Sequence, residues 1–198
     1  MFVMKRGVLY YILVLFALVS YGQSVETSEI DSCGVCHVKT SSRSFVIGNK
    51  KFDTGLFCLA DNSKSWAIVM LPNEKFSTDV EMLMRLGNDE LIHLHAFRIE
   101  GKIQKKGYIS YVYGDIIWTE PYNHEEKYTK LYFYVTEEQL DKIKKSGIRK
   151  LRISDGSKFY DKKFGFNELG LYLEKCYHLI NSNLKQLRQE RKEISEGF

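Results

Sequence analysis

Hydrophobic and polar residues alternate through the middle of the chain, a pattern typical of strands that bury one face. Seven short runs rich in β-branched and aromatic residues follow one another, separated mostly by turn residues: 44–48, 55–59, 65–71, 80–86, 91–98, 108–118 and 128–135. The sequence Gly87-Asn88-Asp89 lies between two of these runs and favours a hairpin turn. Short strands joined by short turns predict an antiparallel sheet, folded as a sandwich or a barrel.

The period of the apolar residues changes from two to 3.6 near residue 136. Thr136 and Gln139 have the spacing of a capping box, which predicts a short helix over 137–146. Gly147 suits the left-handed position that ends such a helix, and a strand over 148–153 follows. A long C-terminal helix is then predicted after Asn167, with one apolar face: Leu169, Leu173, Cys176, Ile180, Leu184 and Leu187. The predicted fold is therefore mainly β, of the α+β class.

One segment, residues 132–153 (YFYVTEEQLDKIKKSGIRKLRI), resembles a strand–helix–strand element of small exported bacterial proteins of uncharacterised function. The resemblance covers about a tenth of the chain and rests on cap, apolar-face and strand positions. It implies a β-rich fold with a helical C-terminus, and it implies no activity.

The N-terminus has the pattern of a secretory signal peptide. Lys5 and Arg6 precede an apolar run over 8–19, and the small residues Ser20 and Gly22 precede Gln23. The run is short for a membrane span, although an uncleaved anchor is the alternative. We therefore expect an exported protein, periplasmic or secreted, with no membrane association after cleavage. Its predicted parts are a signal peptide (1–22), an N-terminal extension (23–43) and a single β-rich domain (44–198).

The charge balance bears on the class of partner. Without residues 1–22 the chain has 27 basic and 25 acidic residues, a net charge of +2. Basic and acidic residues are interleaved rather than separated into blocks. A nearly neutral chain has no electrostatic footprint for nucleic acid, so we expect no nucleic-acid partner.

The sequence Cys33-Gly34-Val35-Cys36-His37 has the spacing of a c-type haem attachment motif. Cys33 and Cys36 would form the thioethers, and His37 would ligate the iron. A polar connector and strands follow the motif, whereas small cytochromes place it on a helix, so haem c is kept as an alternative only. An even number of cysteines in an oxidising compartment favours a disulfide among Cys33, Cys36 and Cys58. Cys176, on the apolar helix face, is expected to be a buried small hydrophobe.

A metal site is another alternative. His93 and His95 stand two apart in a predicted strand, so both belong to one face and both imidazoles can bind one zinc ion. Further ligands would come from Cys33, Cys36, His37 or Glu90. The simpler interpretation is a pair of solvated histidines on the outer face of a strand.

A candidate ligand-binding loop follows the strand that is predicted over 108–118. The candidate binding residues are Trp118, at the end of that strand, and Glu120, Tyr122 and His124 in the loop, because loops on a β scaffold commonly carry binding residues. An ordinary polar hairpin loop explains the same composition.

Two classes of function remain. The first is an exported, non-enzymatic domain that binds a partner protein, a glycan or a small ligand. The second is a redox or metal protein that uses Cys33, Cys36 and His37. The sequence contains no nucleophile elbow, phosphate loop, dinucleotide fingerprint or His-Glu-x-x-His motif. We therefore expect the first class, with no cofactor.

Overall fold

The computed structural model describes residues 23–73, 76, 79–113 and 116–196, so the predicted signal peptide lies outside the described residues. Within these described residues, ten strands and two helices follow one another in chain order: β1 (Val25–Ile30), β2 (Cys36–Thr40), β3 (Arg43–Ile47), β4 (Lys50–Ala60), β5 (Lys64–Pro72), β6 (Val80–Leu86), β7 (Leu91–Tyr113), β8 (Ile116–Val135), α1 (Glu137–Ser146), β9 (Ile148–Asp155), β10 (Lys158–Lys163) and α2 (Glu168–Glu196). Among the described residues, no helix is long and apolar enough to span a membrane.

All strand pairs are antiparallel, in the order β1-β2-β4-β5-β8-β7-β6-β9-β10, and β3 pairs with β4. The sheet curls, because the Gly48 N–H donates a hydrogen bond of 2.9 Å to the Asp161 carbonyl and so joins the β3–β4 turn to β10. The strands do not close into a barrel, and the result is a sandwich-like α+β fold. The predicted fold class, with a short helix and a long C-terminal helix, is confirmed.

The core lies between the inner face of the curled sheet and the two helices. Trp66 and Phe133 on the central strands are at most 1% exposed, as are Leu173 and Ile180 on α2. Tyr177 of α2 stacks on Trp66 at 5.0 Å between ring centroids and donates a hydrogen bond of 2.7 Å to Glu137 of α1. This bond raises the pKa of the Tyr177 hydroxyl to about 12. The long helix is thereby fixed to both the sheet and the short helix.

Residues 23–43, predicted as an N-terminal extension, contribute β1 and β2 to the sheet and reach the start of β3. Alternate residues of β2 are buried, namely Cys36, Val38 and Thr40, and β2 forms a ladder with β4. The segment appeared polar because β1 exposes five of its six residues and because the intervening turn is short. Burial of only three small side chains leaves a weak periodic signal.

The structure also differs from the prediction in the segment 99–130. A strand was predicted over 108–118 and a loop after it, but β7 runs to Tyr113 and β8 begins at Ile116, with these two residues paired. Trp118, Glu120, Tyr122 and His124 therefore lie within β8 and not in a loop. Their side chains are outside the described part of the structure. The hairpin was missed because lysines and glycines between 101 and 107 resemble a turn cluster.

The ends of the helices show which local signals were correctly interpreted. Thr136 and Gln139 form the predicted capping box, with hydrogen bonds of 3.1 and 2.9 Å. Gly147 has a positive φ of 69°. Asn167 precedes α2 as predicted, but its side-chain oxygen accepts from the Ile148 N–H at 2.8 Å and so ties the start of the helix to β9.

Candidate functional site

The outer face of the sheet, away from the helices, carries a strip of aromatic side chains: Phe57 on β4, Tyr132 and Tyr134 on β8, and Phe97 on β7. We call these four residues the aromatic strip. Between them β5 contributes only small residues at this level, so the Phe57 and Tyr132 rings close over it and meet edge to face at 6.0 Å. Phe97 and Tyr134 are 56% and 55% exposed, which is unusual for two large apolar rings on one face.

The strip leads to a long two-stranded ribbon. The ladder between β5 and β8 ends at Leu131, and the ladder between β6 and β7 ends at His95. β7 and β8 continue to pair with each other for another 15 residue pairs, from Ile99–Lys130 to Tyr113–Ile116. We call this ribbon, residues 99–113 and 116–130, the arm. At the usual rise per strand residue it is about 50 Å long.

Three ligand-type side chains meet at the base of β7. His93 and His95 share the outer face as predicted, and Glu81 lies opposite His95 on β6. The Glu81 carboxylate lies 3.1 Å from His93 Nε2 and 3.3 Å from His95 Nδ1. All three side chains are at least 43% exposed. The third ligand-type residue is not the predicted one. Glu90, a predicted ligand, forms an ion pair with Lys142 at 2.6 Å, and the residue beside the histidines is Glu81, which was not predicted.

The Cys-x-x-Cys-His sequence forms the turn between β1 and β2 and the first residues of β2. Asp31 organises this turn, since one carboxylate oxygen accepts from the N–H groups of Cys33 and Val35, both at 2.9 Å. The other oxygen lies 3.0 Å from His37 Nε2. The hydrogen bond to His37, followed by that from Val35, lowers the pKa of the Asp31 carboxyl. The motif is thus accounted for by a hairpin turn.

The residues of the motif do not fit a c-type haem. Cys36 points into the core and is 4% exposed, whereas the next residue, His37, lies on the opposite face of β2 and binds Asp31. One porphyrin cannot reach a thiol beneath the sheet and an imidazole above it. His37 is also four strand positions from His93 in the sheet order, about 19 Å along the sheet, and does not join the Glu81 cluster.

The four cysteines are free thiols in the structure, and no two of them are at disulfide distance. Cys33 is exposed, and the others are buried. Cys36 pairs with Ala60 and Val38 with Cys58, so Cys36 and Cys58 are diagonal neighbours on one face of the β2–β4 ladder. Burial raises the pKa of the Cys58 thiol to about 12. The disulfide stays a prediction, and Cys36 with Cys58 is the pair that the strands bring together.

Cys176 is fully buried, as expected, but it is not purely a hydrophobe. Its sulfur accepts hydrogen bonds from Thr40 Oγ1 at 3.4 Å and from Gln23 Nε2 at 3.0 Å. Burial is the main reason that the pKa of this thiol is raised. One turn earlier on α2, the Tyr172 hydroxyl lies 2.8 Å from the Ser41 carbonyl and 2.7 Å from the Thr54 carbonyl.

An open groove of about 870 Å³ lies beside Tyr172, where β3 meets the start of α2. Its walls combine both charges and apolar groups: Gln23, Ser41, Ser42, Arg43, Ser44, Phe166, Glu168, Leu171, Tyr172 and Lys175. This concave surface was not predicted, because it depends on the return of α2 across the sheet.

No match to this chain was found among models of known protein families, among curated proteins or among solved structures. The evidence on function is therefore the geometry of the arm and of the Glu81 cluster.

Proposed function

We propose that this chain is an exported, non-enzymatic binding domain whose partner is a protein, and that the protein which docks on the arm is a second copy of the chain. The observation that carries the proposal is the continuation of β7 and β8 for 15 pairs beyond the last residues that pair with β5 and β6. A two-stranded hairpin is marginally stable by itself in water, whereas a third strand or a packed face stabilises it.

The charges of the arm divide it into two parts. The part near the body, residues 99–107 and 120–130, contains both signs of charge, including five lysines: Lys102, Lys105, Lys106, Lys127 and Lys130. Lysines on strand edges oppose pairing with other chains. The distal part, residues 108–119 (YISYVYGDIIWT), contains one charged residue, Asp115. The strand residues of this part, 108–113 and 116–119, carry no charge, and an uncharged strand edge is a surface that natural proteins cover.

A second copy of the chain can cover this distal part. An antiparallel strand edge is complementary to itself about a two-fold axis, so the same residues serve on both sides of an isologous interface. The distal part is about six residues long on each strand, so it measures about 20 Å by about 10 Å and offers roughly 200 Å² on one face. Two such faces give roughly 400 Å² in total, an area typical of weak association. We therefore expect a weak dimer that forms only at high protein concentration.

A protein partner also suits the shape better than a small ligand does. Small-molecule sites are concave and bury most of the ligand, whereas the arm is a long and narrow projection. The backbone groups on its outer edges can extend the sheet with a strand of the partner.

Sedimentation velocity over a wide range of protein concentration tests the proposal. Mature wild-type protein is compared with an armless variant, in which residues 101–128 are replaced by Asn-Gly. This two-residue turn joins Glu100 to Thr129, which are paired in the structure, so the hairpin closes without a change of register. We expect the wild type to shift from monomer to dimer as concentration rises, and the armless variant to stay monomeric. A monomeric wild type at all concentrations would overturn the proposal, and so would an armless dimer.

A matched pair of full-length variants locates the contact. Ile109→Lys with Ile117→Lys adds two charges to the distal part, whereas Gln104→Lys with Asn123→Lys adds the same charges near the body. We expect only the distal pair to weaken dimerisation. Equal effects of both pairs would contradict docking at the distal part. A separate sedimentation experiment with phosphatidylcholine vesicles tests a lipid surface as the partner. If the wild type binds these vesicles as a monomer, the proposal that a second copy docks on the arm is wrong.

A further inference from the structure

We propose that Glu81, His93 and His95 bind one divalent transition-metal ion, with zinc as the reference ion. The site lies on the body of the sheet, at the β6–β7 ladder. It is independent of the proposed dimerisation, because the arm begins at residue 99 and the armless variant keeps all three residues.

All three side chains are positioned by paired strands, and none of them is carried by a loop. His93 and His95 are separated by one residue, so both lie on the outer face of β7. Register then places Glu81 directly opposite His95 and next to the pair that Leu83 forms with His93. β6 is itself enclosed between β7 and β9, so the ligands are carried by the interior of the sheet.

The distances agree with the coordination geometry of zinc. Bond lengths of 2.0–2.1 Å and tetrahedral angles place neighbouring ligand atoms about 3.3 Å apart. The Glu81 oxygens lie 3.1 Å from His93 Nε2 and 3.3 Å from His95 Nδ1, and all the ligand atoms lie within 4.8 Å of one another. The two short distances involve different oxygens, Oε2 towards His93 and Oε1 towards His95, so binding of one ion requires the side chains to turn towards a common point.

The electrostatics and the access also suit an ion. Two neutral imidazoles and one carboxylate form a common ligand set for zinc, as in sites with two histidines and a glutamate. One guanidinium close in the register, Arg152, pairs with Leu83 in the ladder, but it is bound to Asp161 by two hydrogen bonds of 2.7 Å. Because His93 and His95 are 49% and 71% exposed, water can complete the coordination sphere.

Two histidines that are only hydrogen-bonded to one carboxylate are the competing explanation, and a metal titration distinguishes it from a metal site. Isothermal titration calorimetry with zinc chloride is carried out on chelator-treated protein at slightly alkaline pH, where imidazole is neutral. We expect one ion per chain with a micromolar dissociation constant. His93→Ala, His95→Ala and Glu81→Gln should each weaken binding by about tenfold or more. Irving–Williams order predicts tighter binding of copper(II) than of zinc.

His178→Ala is the matched control, because His178 also faces a glutamate, Glu174, at 4.0 Å and is 69% exposed. We expect it to leave zinc binding unchanged. All titrations are repeated in a Cys33→Ser background, since Cys33 is the exposed thiol. Circular dichroism checks that each variant is folded. The absence of a one-to-one isotherm would overturn the proposal, and so would an isotherm that survives His93→Ala with His95→Ala.

Discussion

The side chain of Asn167 fills the space that a β-carbon at Gly170 would occupy. An ideal Cβ on Gly170 would lie 2.2 Å from Asn167 Oδ1, and the same oxygen accepts the Ile148 N–H at 2.8 Å. A Cβ on Gly147 would lie 2.6 Å from Asn167 Nδ2. Two glycines therefore make room for one amide, which joins the first turn of α2 to β9.

The first prediction concerns this amide. In an ordinary helix, Gly→Ala stabilises by about 1 kcal/mol. Here Gly170→Ala displaces Asn167 and leaves the Ile148 N–H without its acceptor, so we expect a net loss of about 1–2 kcal/mol. In an Asn167→Ala background the obstacle is gone, and the same substitution should stabilise. A denaturant-melt double-mutant cycle measures this reversal of sign, and two effects of the same sign would contradict it.

The second prediction concerns the buried hydroxyl of Tyr172. One proton is shared between the Ser41 and Thr54 carbonyls, so Tyr172→Phe removes a buried donor from both acceptors. We expect the free energy of unfolding to fall by about 1–3 kcal/mol. Tyr134→Phe, at an exposed tyrosine, is the control and should be neutral. A neutral Tyr172→Phe would show that water replaces the hydroxyl.

The third prediction concerns acid stability. Hydrogen bonds from Arg152, then from Lys150, lower the pKa of Asp161 to about 2. Because the folded pKa is depressed, the contribution is present above the ordinary carboxyl pKa and is lost as the pH falls towards about 2. Asp161 is 39% exposed, so solvent screening reduces the contribution to about 0.5 kcal/mol. Asp161→Asn should flatten the acid limb of the stability curve, and Arg152→Gln should have the same effect. A curve that keeps its slope in both variants would contradict this assignment.

The fourth prediction concerns the cysteines. We expect one disulfide in the exported protein, between Cys36 and Cys58, since these two lie on the same face of one ladder and need only a shift of the strands to come within bonding distance. Cys33 should then react with a thiol reagent in the native protein, and Cys176 only after unfolding. Peptide mapping without reduction identifies the pairing. A bond between Cys33 and Cys36, or four free thiols, would refute it.

The fifth prediction concerns export. The signal-peptide pattern predicts cleavage between Gly22 and Gln23. Intact-mass analysis of the exported protein should give a chain that starts at Gln23 or at its cyclised form. Cyclisation removes the amide that donates to Cys176. A full-length chain in the membrane fraction would show that residues 1–22 are an anchor.

Local signals in the sequence predict the structure correctly. The capping box at Thr136, the hairpin over 87–89 and the apolar face of α2 each depend on residues only a few positions apart, and all three were correctly interpreted. The arm was missed because its proximal part is polar on both strands, and polar strands have no period-two signal to detect.

The candidate site depends on register, which is not local. That His93 and His95 share a face follows from their spacing alone, but Glu81 joins them only because β6 pairs with β7 in one particular register. Likewise, the sequence places Cys36 and His37 on opposite faces of a sheet only if β2 is first recognised as a strand.

Hydrogen–deuterium exchange of the mature wild-type protein, measured at low and at high protein concentration, tests directly whether a second copy covers the arm. We predict that the amides of residues 108–119 become protected as concentration rises, while those of β4 and β5 are protected at both concentrations. Rapid exchange of residues 108–119 that does not depend on concentration would contradict the proposed dimer.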